Sequence, residues 1–319
     1  MTFHYHAGGT PLLDEIKKTH PHNVTYFVDF DDCLDRSTVR ALNEEQKQIL
    51  WDLHHLTKGG FILTTNSDGR SVFEMDGMAG FPVISEFGTV FRNITNSPKG
   101  AETEIDKHGN DVTYLHKRPD CKKAFEIANQ LLNARGIAVT NSGEDLNGDT
   151  PIVKLEGKEM GIALVFGRHA SVKPFADEIA DKVYNDAGFN RSAFEIDKKG
   201  KDAVEIKVKD AAKADVGDHL NGHALMRRSL LISVGDSGSD WELMQRLGRG
   251  IVVGHALDSK IKTTQDNQEK LKIHKVDATL DDFTNTWLLL RTLRDTYAQQ
   301  AVGLVVNTGI AARKAPAPR

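Results

Sequence analysis

Four carboxylates fall within seven positions of FVDFDDCLDRS, residues 27–37. Directly before them lies VTYFV, an apolar run of the kind that forms a buried β-strand. Ligands of open parallel sheets lie outside the carboxyl ends of the strands, which is where Asp29 and Asp31 fall. A second cluster, GDSGSD, follows the apolar run LLISV in the same way and contributes Asp236 and Asp240. We therefore expect two acidic clusters at one edge of a sheet.

Such crowding points to a metal ion. Carboxylates at close range raise each other's pKa, so the cluster must either take up protons or hold a cation. Oxygen ligands with room for water suit Mg²⁺, and the sequence has no Cys or His cluster that would favour zinc. Each cluster alone has a simpler explanation, a turn followed by a helix cap, with Asp240 capping the helix WELMQRL. Two clusters at matching strand ends favour the magnesium site.

The surrounding pattern indicates how these residues are positioned. Short apolar runs such as VTYFVDF, GFILTT and FPVIS alternate with helical spacing, which is typical of a parallel sheet covered by helices. Beyond residue 100 the rhythm changes: a polar stretch with one helix precedes the hairpin TPIVKLEG and GIALVFG and the strand pair SAFEI and AVEIKV. The alternation of strand and helix patterns resumes with LLISV. The fold class is therefore α/β, with an inserted antiparallel α+β unit.

Composition excludes several classes of function. The 319 residues carry 41 basic and 45 acidic side chains, a net charge of −4, without a basic patch for nucleic acid. No apolar run approaches the roughly 18 residues of a membrane span. The N-terminal stretch MTFHYHAGGTPLLDEIKK lacks the apolar core of a signal peptide. We expect a cytoplasmic protein whose partner is a small molecule; the sequence sets no oligomeric state.

The clusters resemble the motifs of a known superfamily. DFDDCL is similar to the first motif of the haloacid dehalogenase-like superfamily, FILTTN to its second and GDSGSD to its fourth, and the match spans most of the chain. The resemblance implies a Rossmann-like core formed by residues 1–100 and 208–319, with a cap at 101–207. The cap then enters between the second and third motifs, where it would act as a lid that selects substrate.

The same resemblance assigns catalytic roles. Asp29 would be the nucleophile and Asp31 the general acid and base, while Thr65 would bind phosphoryl oxygens. Thr64 is the alternative hydroxyl, but Thr65 is preferred because the predicted strand ends just before it. Asp29, the backbone carbonyl of Asp31, and Asp236 would hold Mg²⁺, with support from Asp240.

The third motif needs a lysine that screens the phosphate from the nucleophile. Lys207, Lys209 and Lys213 are the candidates. In the trehalose-6-phosphate phosphatases, which the chain resembles most, a strand glutamate precedes the lysine by eight residues, and Glu205 and Lys213 have that spacing. Ala214 stands where glycine usually follows. Lys213 is therefore the predicted catalytic lysine.

Two further stretches resemble the same family. ISEFGTVFR is similar to its Ala-Glu-His-Gly segment, with Phe87 in place of His, and VKLEGKEMGIALVFGRHA is similar to its cap hairpin, with Phe166 and Gly167 in place of a His-Tyr pair. Period-2 geometry would place Glu156 and Lys158 on one strand face, where both could bind sugar hydroxyls; a local ion pair is the simpler explanation. The predicted substrate-binding residues are Arg70, Glu86, Glu156, Lys158 and Arg168.

The resemblance implies a magnesium-dependent phosphatase that acts through an aspartyl phosphate, with trehalose 6-phosphate as the expected substrate. Cys33, where the superfamily usually has Thr or Val, is expected to adjust the loop and not to abolish activity. The alternatives are another capped phosphatase for sucrose phosphate, mannosylglycerate phosphate or a hexose phosphate, a phosphomutase, and a catalytically silent sensor of sugar phosphates.

Overall fold

The computed structural model describes residues 10–35, 41–67, 69, 72, 74–94, 102–140, 146, 149–198, 202–266, 271–279 and 282–313. Contacts divide the chain into two compact units. Unit 1 comprises Met1–Thr64, Met75–Pro82 and Val216–Arg319, and unit 2 comprises Thr65–Glu74 and Val83–Asp215. Unit 2 thus contains the whole of the predicted cap together with flanking segments on both sides.

The described part of unit 1 contains five parallel strands, β1 (Val24–Asp29), β2 (Phe61–Thr64), β12 (Leu230–Gly235), β13 (Arg249–Val253) and β14 (Lys272–Val276). They lie side by side in the order β14, β13, β12, β1 and β2. Every residue of β1 and β2 is buried, as expected for parallel strands that are covered on both faces.

The helices of unit 1 follow the signals in the sequence. They are α1 (Thr10–Lys18), α2 (Glu44–Leu56), α5 (Val216–His219), α6 (Gly238–Leu247), α7 (Asp258–Asp266) and α8 (Thr284–Arg313). Asn43 begins α2 with a capping box that also involves Gln46. The hydroxyls of Tyr26 on β1 and Tyr297 on α8 lie 2.7 Å apart, which joins the last helix to the central strand.

Unit 2 contains two groups of strands. The first is antiparallel, in the order β3 (Val83–Ser85), β4 (Val90–Arg92), β6 (Asp111–Tyr114) and β5 (Glu102–Ile105). The second is a sheet in the order β10 (Phe194–Asp197), β11 (Ala203–Val208), β9 (Ile162–Val165), β8 (Ile152–Gly157) and β7 (Ala138–Thr140). Two helices, α3 (Cys121–Ala134) and α4 (Lys173–Asp186), pack against this second sheet.

Alternation along the strands separates the two faces of the second sheet. On β11, Val204 and Ile206 are buried in the core formed with α3 and α4, whereas Glu205 and Lys207 point to the opposite face and stay partly exposed. The helices therefore cover one face, and the other carries charged side chains.

The predicted fold class, a parallel α/β core with an inserted α+β unit, is confirmed, as are the hairpin β8–β9 and the pair β10–β11. Two details differ. The strand within FPVIS, β3, pairs in antiparallel fashion with β4. The stretch after residue 100 holds β5, β6 and β7 besides its helix, and β5 was missed because all four of its side chains are exposed and give no apolar alternation. Among the described helices, none combines the length and apolarity needed to cross a bilayer.

Candidate active site

The acidic residues of both sequence clusters meet at the carboxyl edge of the unit 1 sheet. Strands β1 and β12 run parallel, with Val28 opposite Val234, so the residues that follow each strand lie side by side. One carboxylate oxygen from each of Asp29, Asp236 and Asp240 lies within 4.8 Å of the other two. Asp29 and Asp240 are buried and Asp236 is partly exposed. We refer to these three residues as the acidic cluster.

Asp240 reaches the acidic cluster from the first turn of α6. Its Oδ2 accepts hydrogen bonds from the backbone N–H of Ser237 at 3.1 Å and from the Ser237 hydroxyl at 2.6 Å. A Cβ atom on Gly235 would overlap the Asp240 carboxylate, so only glycine fits at the end of β12. The sequence offered helix capping as the simpler role of Asp240; in the structure Ser237 is the N-cap and Asp240 completes the capping box from position N3, while it also belongs to the acidic cluster.

The chain turns sharply after β1. Asp31 forms a parallel bridge with Asp35, and the Asp32 N–H donates to the Asp35 carbonyl at 2.8 Å. Asp32 has φ 56°, a left-handed conformation that aspartate tolerates better than most residues. Cys33 is fully buried in this turn. The turn thus brings Asp31 and Asp32 directly beyond the end of β1.

A cavity of about 310 Å³ opens beside the acidic cluster, and its volume suits a small ligand. Its wall includes Asp32, Asp236, His255, Thr279 and Phe283. His255 was not among the site residues predicted from the sequence. The available signal was its position just after β13, since the neighbouring strand β12 ends in the same way at the second acidic cluster.

His255 is held by charged neighbours of unit 1. Its Nδ1 lies 2.8 Å from the Lys275 ammonium and 3.1 Å from Asp258 Oδ2. Lys275 also forms an ion pair with Asp258 at 2.8 Å. These contacts fix the imidazole in the wall of the cavity, where it can offer a polar edge to a ligand.

Thr64 and Thr65 are adjacent in the chain but belong to different units. Thr64 is the last residue of β2 and lies opposite Asp29 in the parallel register; its Oγ1 is buried without a hydrogen-bond partner among the described residues. Thr65 belongs to unit 2, where its N–H donates to Ile84 and its Oγ1 accepts the Ser67 N–H at 2.9 Å. The choice between the two hydroxyls stays a prediction, and Arg70 lies outside the described residues.

Lys213 is a buried lysine at the end of unit 2. It begins a 3₁₀ turn, Lys213–Asp215, and only 1% of its surface is exposed. This turn packs against the turn Glu86–Gly88. A lysine buried to this extent has few rotamers available.

Glu86 is also buried in unit 2, and its carboxylate is engaged by backbone groups. Its two oxygens accept hydrogen bonds from the N–H groups of Glu159 at 2.6 Å and Met160 at 2.8 Å, both in the turn between β8 and β9. Burial first, and then the charge of Glu86, raise the pKa of the Cys121 thiol to about 12. Glu86 therefore ties one turn of unit 2 to another.

The lysine and glutamate of the predicted sugar site occupy different local structures. Strand β8 ends at Gly157, so Lys158 lies in the β8–β9 turn, just beyond the strand that carries Glu156. The Lys158 ammonium is 3.2 Å from Glu205, and Glu156 forms an ion pair with Lys154 at 2.7 Å. The simpler explanation, an ion pair between Glu156 and Lys158, is not what the structure shows, because each residue pairs with a different partner.

The ring of Phe87 lies close to two lysines of unit 2. The ammonium groups of Lys158 and Lys207 lie 5.3 and 4.9 Å from the centroid of Phe87, within the range of cation–π attraction. Lys207 also forms an ion pair with Asp197 at 2.8 Å. Arg168 is separate from this group; it is exposed and lies 3.3 Å from Asp149.

Residues 91–270, more than half of the chain, match the family model of haloacid dehalogenase-like hydrolases. The comparison with curated proteins gives no match.

Solved structures share the fold at low sequence identity. A protein described as related to trehalose-6-phosphate phosphatase has 13% identity and a TM-score of 0.53, with 86% of this chain and 99% of that chain covered. The C-terminal domain of the trehalose-6-phosphate phosphatase of C. albicans has 14% identity and a TM-score of 0.51, with coverages of 91% and 97%. A haloacid dehalogenase-like hydrolase from Bacteroides thetaiotaomicron has 12% identity and a TM-score of 0.51, with coverages of 85% and 98%.

Proposed function

Because the chain belongs to the haloacid dehalogenase-like hydrolase family, we propose that it is a phosphatase that hydrolyses a sugar phosphate through a phosphoryl group carried on Asp29. The observation that carries the proposal is the convergence of Asp29, Asp236 and Asp240 within 4.8 Å at the end of two parallel strands. A buried nucleophilic carboxylate beside two further acids has a clear chemical use when a cation and a phosphate are bound between them.

The donor set fits Mg²⁺. All three groups of the acidic cluster offer carboxylate oxygen, and hard oxygen donors are the ligands that Mg²⁺ takes in proteins. Asp29, Asp236 and the backbone carbonyl of Asp31 would hold the ion, with Asp240 in support. When bound, the ion supplies positive charge that offsets the carboxylates and the phosphoryl oxygens.

The protein groups perform the transfer in two steps. Asp29 attacks phosphorus in line and forms an aspartyl phosphate, while Asp31 gives its proton to the departing sugar oxygen. Asp31 then takes a proton from water, which attacks phosphorus and releases phosphate from Asp29. Lys213 and Thr65 stabilise the negative charge on the phosphoryl oxygens in both steps.

We propose trehalose 6-phosphate as the substrate. Glu156 and Lys158 would bind the distal glucose, and Arg70 and Arg168 would add further contacts. The chain shares its fold with the C-terminal domain of the C. albicans trehalose-6-phosphate phosphatase, and this likeness supports the choice. The charged face of the second sheet in unit 2 also supports it, since sugar hydroxyls need both donors and acceptors.

A panel of phosphate esters tests the proposal. Phosphate release from p-nitrophenyl phosphate, glucose 6-phosphate, sucrose 6-phosphate and trehalose 6-phosphate is measured with Mg²⁺ and with EDTA. The expected result is release that requires Mg²⁺ and is fastest with trehalose 6-phosphate. Equal rates on all four esters reduce the assignment to a general phosphatase, and no release from any of them contradicts phosphatase activity.

A further inference from the structure

We propose that Glu86 and Arg92 are positioning residues that couple the β8–β9 turn, which carries Lys158, to the loop after β2, which carries Thr65. The inference rests on the proposed function and adds to it a route by which sugar recognition affects phosphate binding. Every residue of this route belongs to unit 2.

Glu86 forms the first connection. Its backbone N–H donates to the Ser67 carbonyl at 3.1 Å, and Ser67 in turn donates its own N–H to the Thr65 hydroxyl at 2.9 Å. The Glu86 carboxylate accepts the N–H groups of Glu159 and Met160. One residue therefore holds the loop through its backbone and the β8–β9 turn through its side chain.

Arg92 forms a second connection between the same two segments. It is 1% exposed, and its guanidinium donates to the Glu159 carboxylate. A Cβ on Gly69 would lie 3.2 Å from Arg92 Nη1 and 3.0 Å from the Ser85 hydroxyl, so the loop packs closely over this arginine. Displacing Glu159 would thus disturb both the turn and the support beneath the loop.

The backbone at Glu86 is unusual in a way that agrees with such a role. Glu86 and Phe87 have φ values of 50° and 59°, a left-handed conformation that is rare for side chains of this size. Strain of this kind persists only where the surroundings fix the backbone, and it concentrates at functional sites. Here the surroundings are the bonds of Glu86 and the placement of the Phe87 ring against Lys158 and Lys207.

The turn Glu86–Gly88 also packs against the 3₁₀ turn that begins with Lys213. It therefore contacts segments that carry three residues of the proposed mechanism: Lys158, Thr65 and Lys213. A sugar bound at Lys158 would stabilise the β8–β9 turn and, through Glu86, the loop that presents Thr65. Glu86 and Arg92 act through these neighbours and not by contact with the phosphate.

Hydrogen exchange tests the connection without substrate. In Glu86→Gln an amide replaces an acceptor of two N–H groups, so exchange should become about tenfold faster or more in the peptides that cover 65–69 and 157–161. The matched control is Asp120→Asn, which also changes a carboxylate that accepts a backbone N–H in unit 2. Faster exchange at 157–161 with no change at 65–69 overturns the coupling.

Arg92→Lys gives an independent test should Glu86→Gln unfold unit 2. Lysine keeps the charge but cannot reproduce the planar fork that reaches Glu159. The expected result is again faster exchange in both peptides, with the peptide over β1 in unit 1 unchanged. Unchanged exchange at 65–69 in a folded Arg92→Lys overturns the second connection.

Kinetics test the consequence for catalysis. On the sugar phosphate that the wild type hydrolyses fastest, Glu86→Gln should lower kcat about tenfold and change KM less than about threefold, with a smaller effect on p-nitrophenyl phosphate. In a Lys158→Ala background the same substitution should lower kcat less than about twofold, because the connection then carries no sugar contact. Independent effects of the two substitutions, or equal effects on both substrates, overturn the inference. A wild type that releases no phosphate contradicts the proposed function instead and does not bear on the exchange result.

Discussion

Two groups of carboxylates, one in each unit, are arranged in opposite ways. In unit 1, Asp29, Asp236 and Asp240 converge on one another at the ends of parallel strands. In unit 2, the acidic side chains around Phe87 are matched to basic or N–H groups: Glu205 to Lys158, and Glu86 to the N–H groups of a turn. Like charges that converge need a cation, whereas opposite charges that alternate fix the geometry. The first arrangement is suited to chemistry and the second to positioning.

Asp29→Asn gives the largest effect that this comparison predicts. Asparagine keeps the shape of the side chain but cannot form an aspartyl phosphate, so kcat should fall by about 10³-fold or more. Phosphate release measures the loss, with Asp14→Asn, an exposed acid of α1, as the control. A fall of less than about tenfold is too small for covalent catalysis and contradicts the role of Asp29.

Asp236→Asn separates metal binding from folding. Removing one carboxylate should raise the Mg²⁺ concentration needed for half-maximal activity by about tenfold or more, since a charged ligand is lost. Without Mg²⁺ the same change should raise the thermal midpoint, because it relieves repulsion within the acidic cluster. Melting curves with and without Mg²⁺ measure both effects. A lower midpoint in the absence of metal would show that Asp236 stabilises the fold and not the ion.

Glu156→Ala tests whether unit 2 selects the sugar. Loss of a hydrogen bond to a charged group costs about 1.5 to 3 kcal/mol, so kcat/KM for trehalose 6-phosphate should fall roughly tenfold to a hundredfold. The rate on p-nitrophenyl phosphate, which has no distal sugar, should barely change. Glu126→Ala on α3 serves as the control. Equal losses on both esters would assign Glu156 a structural role through Lys154.

The smallest predicted effect is a pH dependence of stability that originates from His274 in unit 1. Burial, and then the charge of Lys17, lower the pKa of this histidine to about 4. In the unfolded chain His274 binds a proton near pH 6.5, whereas in the folded chain it stays neutral until about pH 4. The free energy of unfolding therefore falls as the pH drops from about 6.5 towards 4. The free energy of unfolding should decrease by about 1 kcal/mol between pH 6.5 and 5.5.

His274→Gln should remove this part of the pH dependence, as thermal midpoints at pH 7.5 and 5.5 would measure. An unchanged midpoint shift in His274→Gln would assign the acid sensitivity to another group.

Asp106 of unit 2 contributes at lower pH. Burial would raise the pKa of Asp106, but hydrogen bonds from Asn110 and His108 lower it overall. Stability from Asp106 is therefore present above the normal aspartate pKa and is lost only at more acidic pH.

The sequence was informative where local pattern and chemistry coincide. Apolar runs that end in acidic residues predicted β1 and β12, and with them the meeting of Asp29 and Asp236. The hairpin β8–β9 was predicted from two consecutive apolar runs, TPIVKLEG and GIALVFG. Each strand and its acidic end depend on neighbours in the chain, and the general rule that parallel strands present their carboxyl ends at one edge of the sheet then brings Asp29 and Asp236 together.

Other features depend on residues far apart in the chain. The donors to Glu86 lie 73 and 74 positions away, so no local pattern marks its carboxylate as a link between turns. Lys158 was placed on a strand because period-2 spacing continues past Gly157, whereas the chain turns there. His255 was missed because its charged partner Lys275 comes from a different strand.

Trapping the phosphoryl group tests directly whether Asp29 is the nucleophile. The wild type is mixed with Mg²⁺ and substrate, quenched in acid during turnover, and digested, and the peptide that contains Asp29 is examined by mass spectrometry. We expect one phosphoryl group on that peptide, located on Asp29, and none in Asp29→Asn. Phosphate release with a phosphoryl group on another residue, or with Asp29 unmodified in the quenched wild type at full turnover, would contradict it.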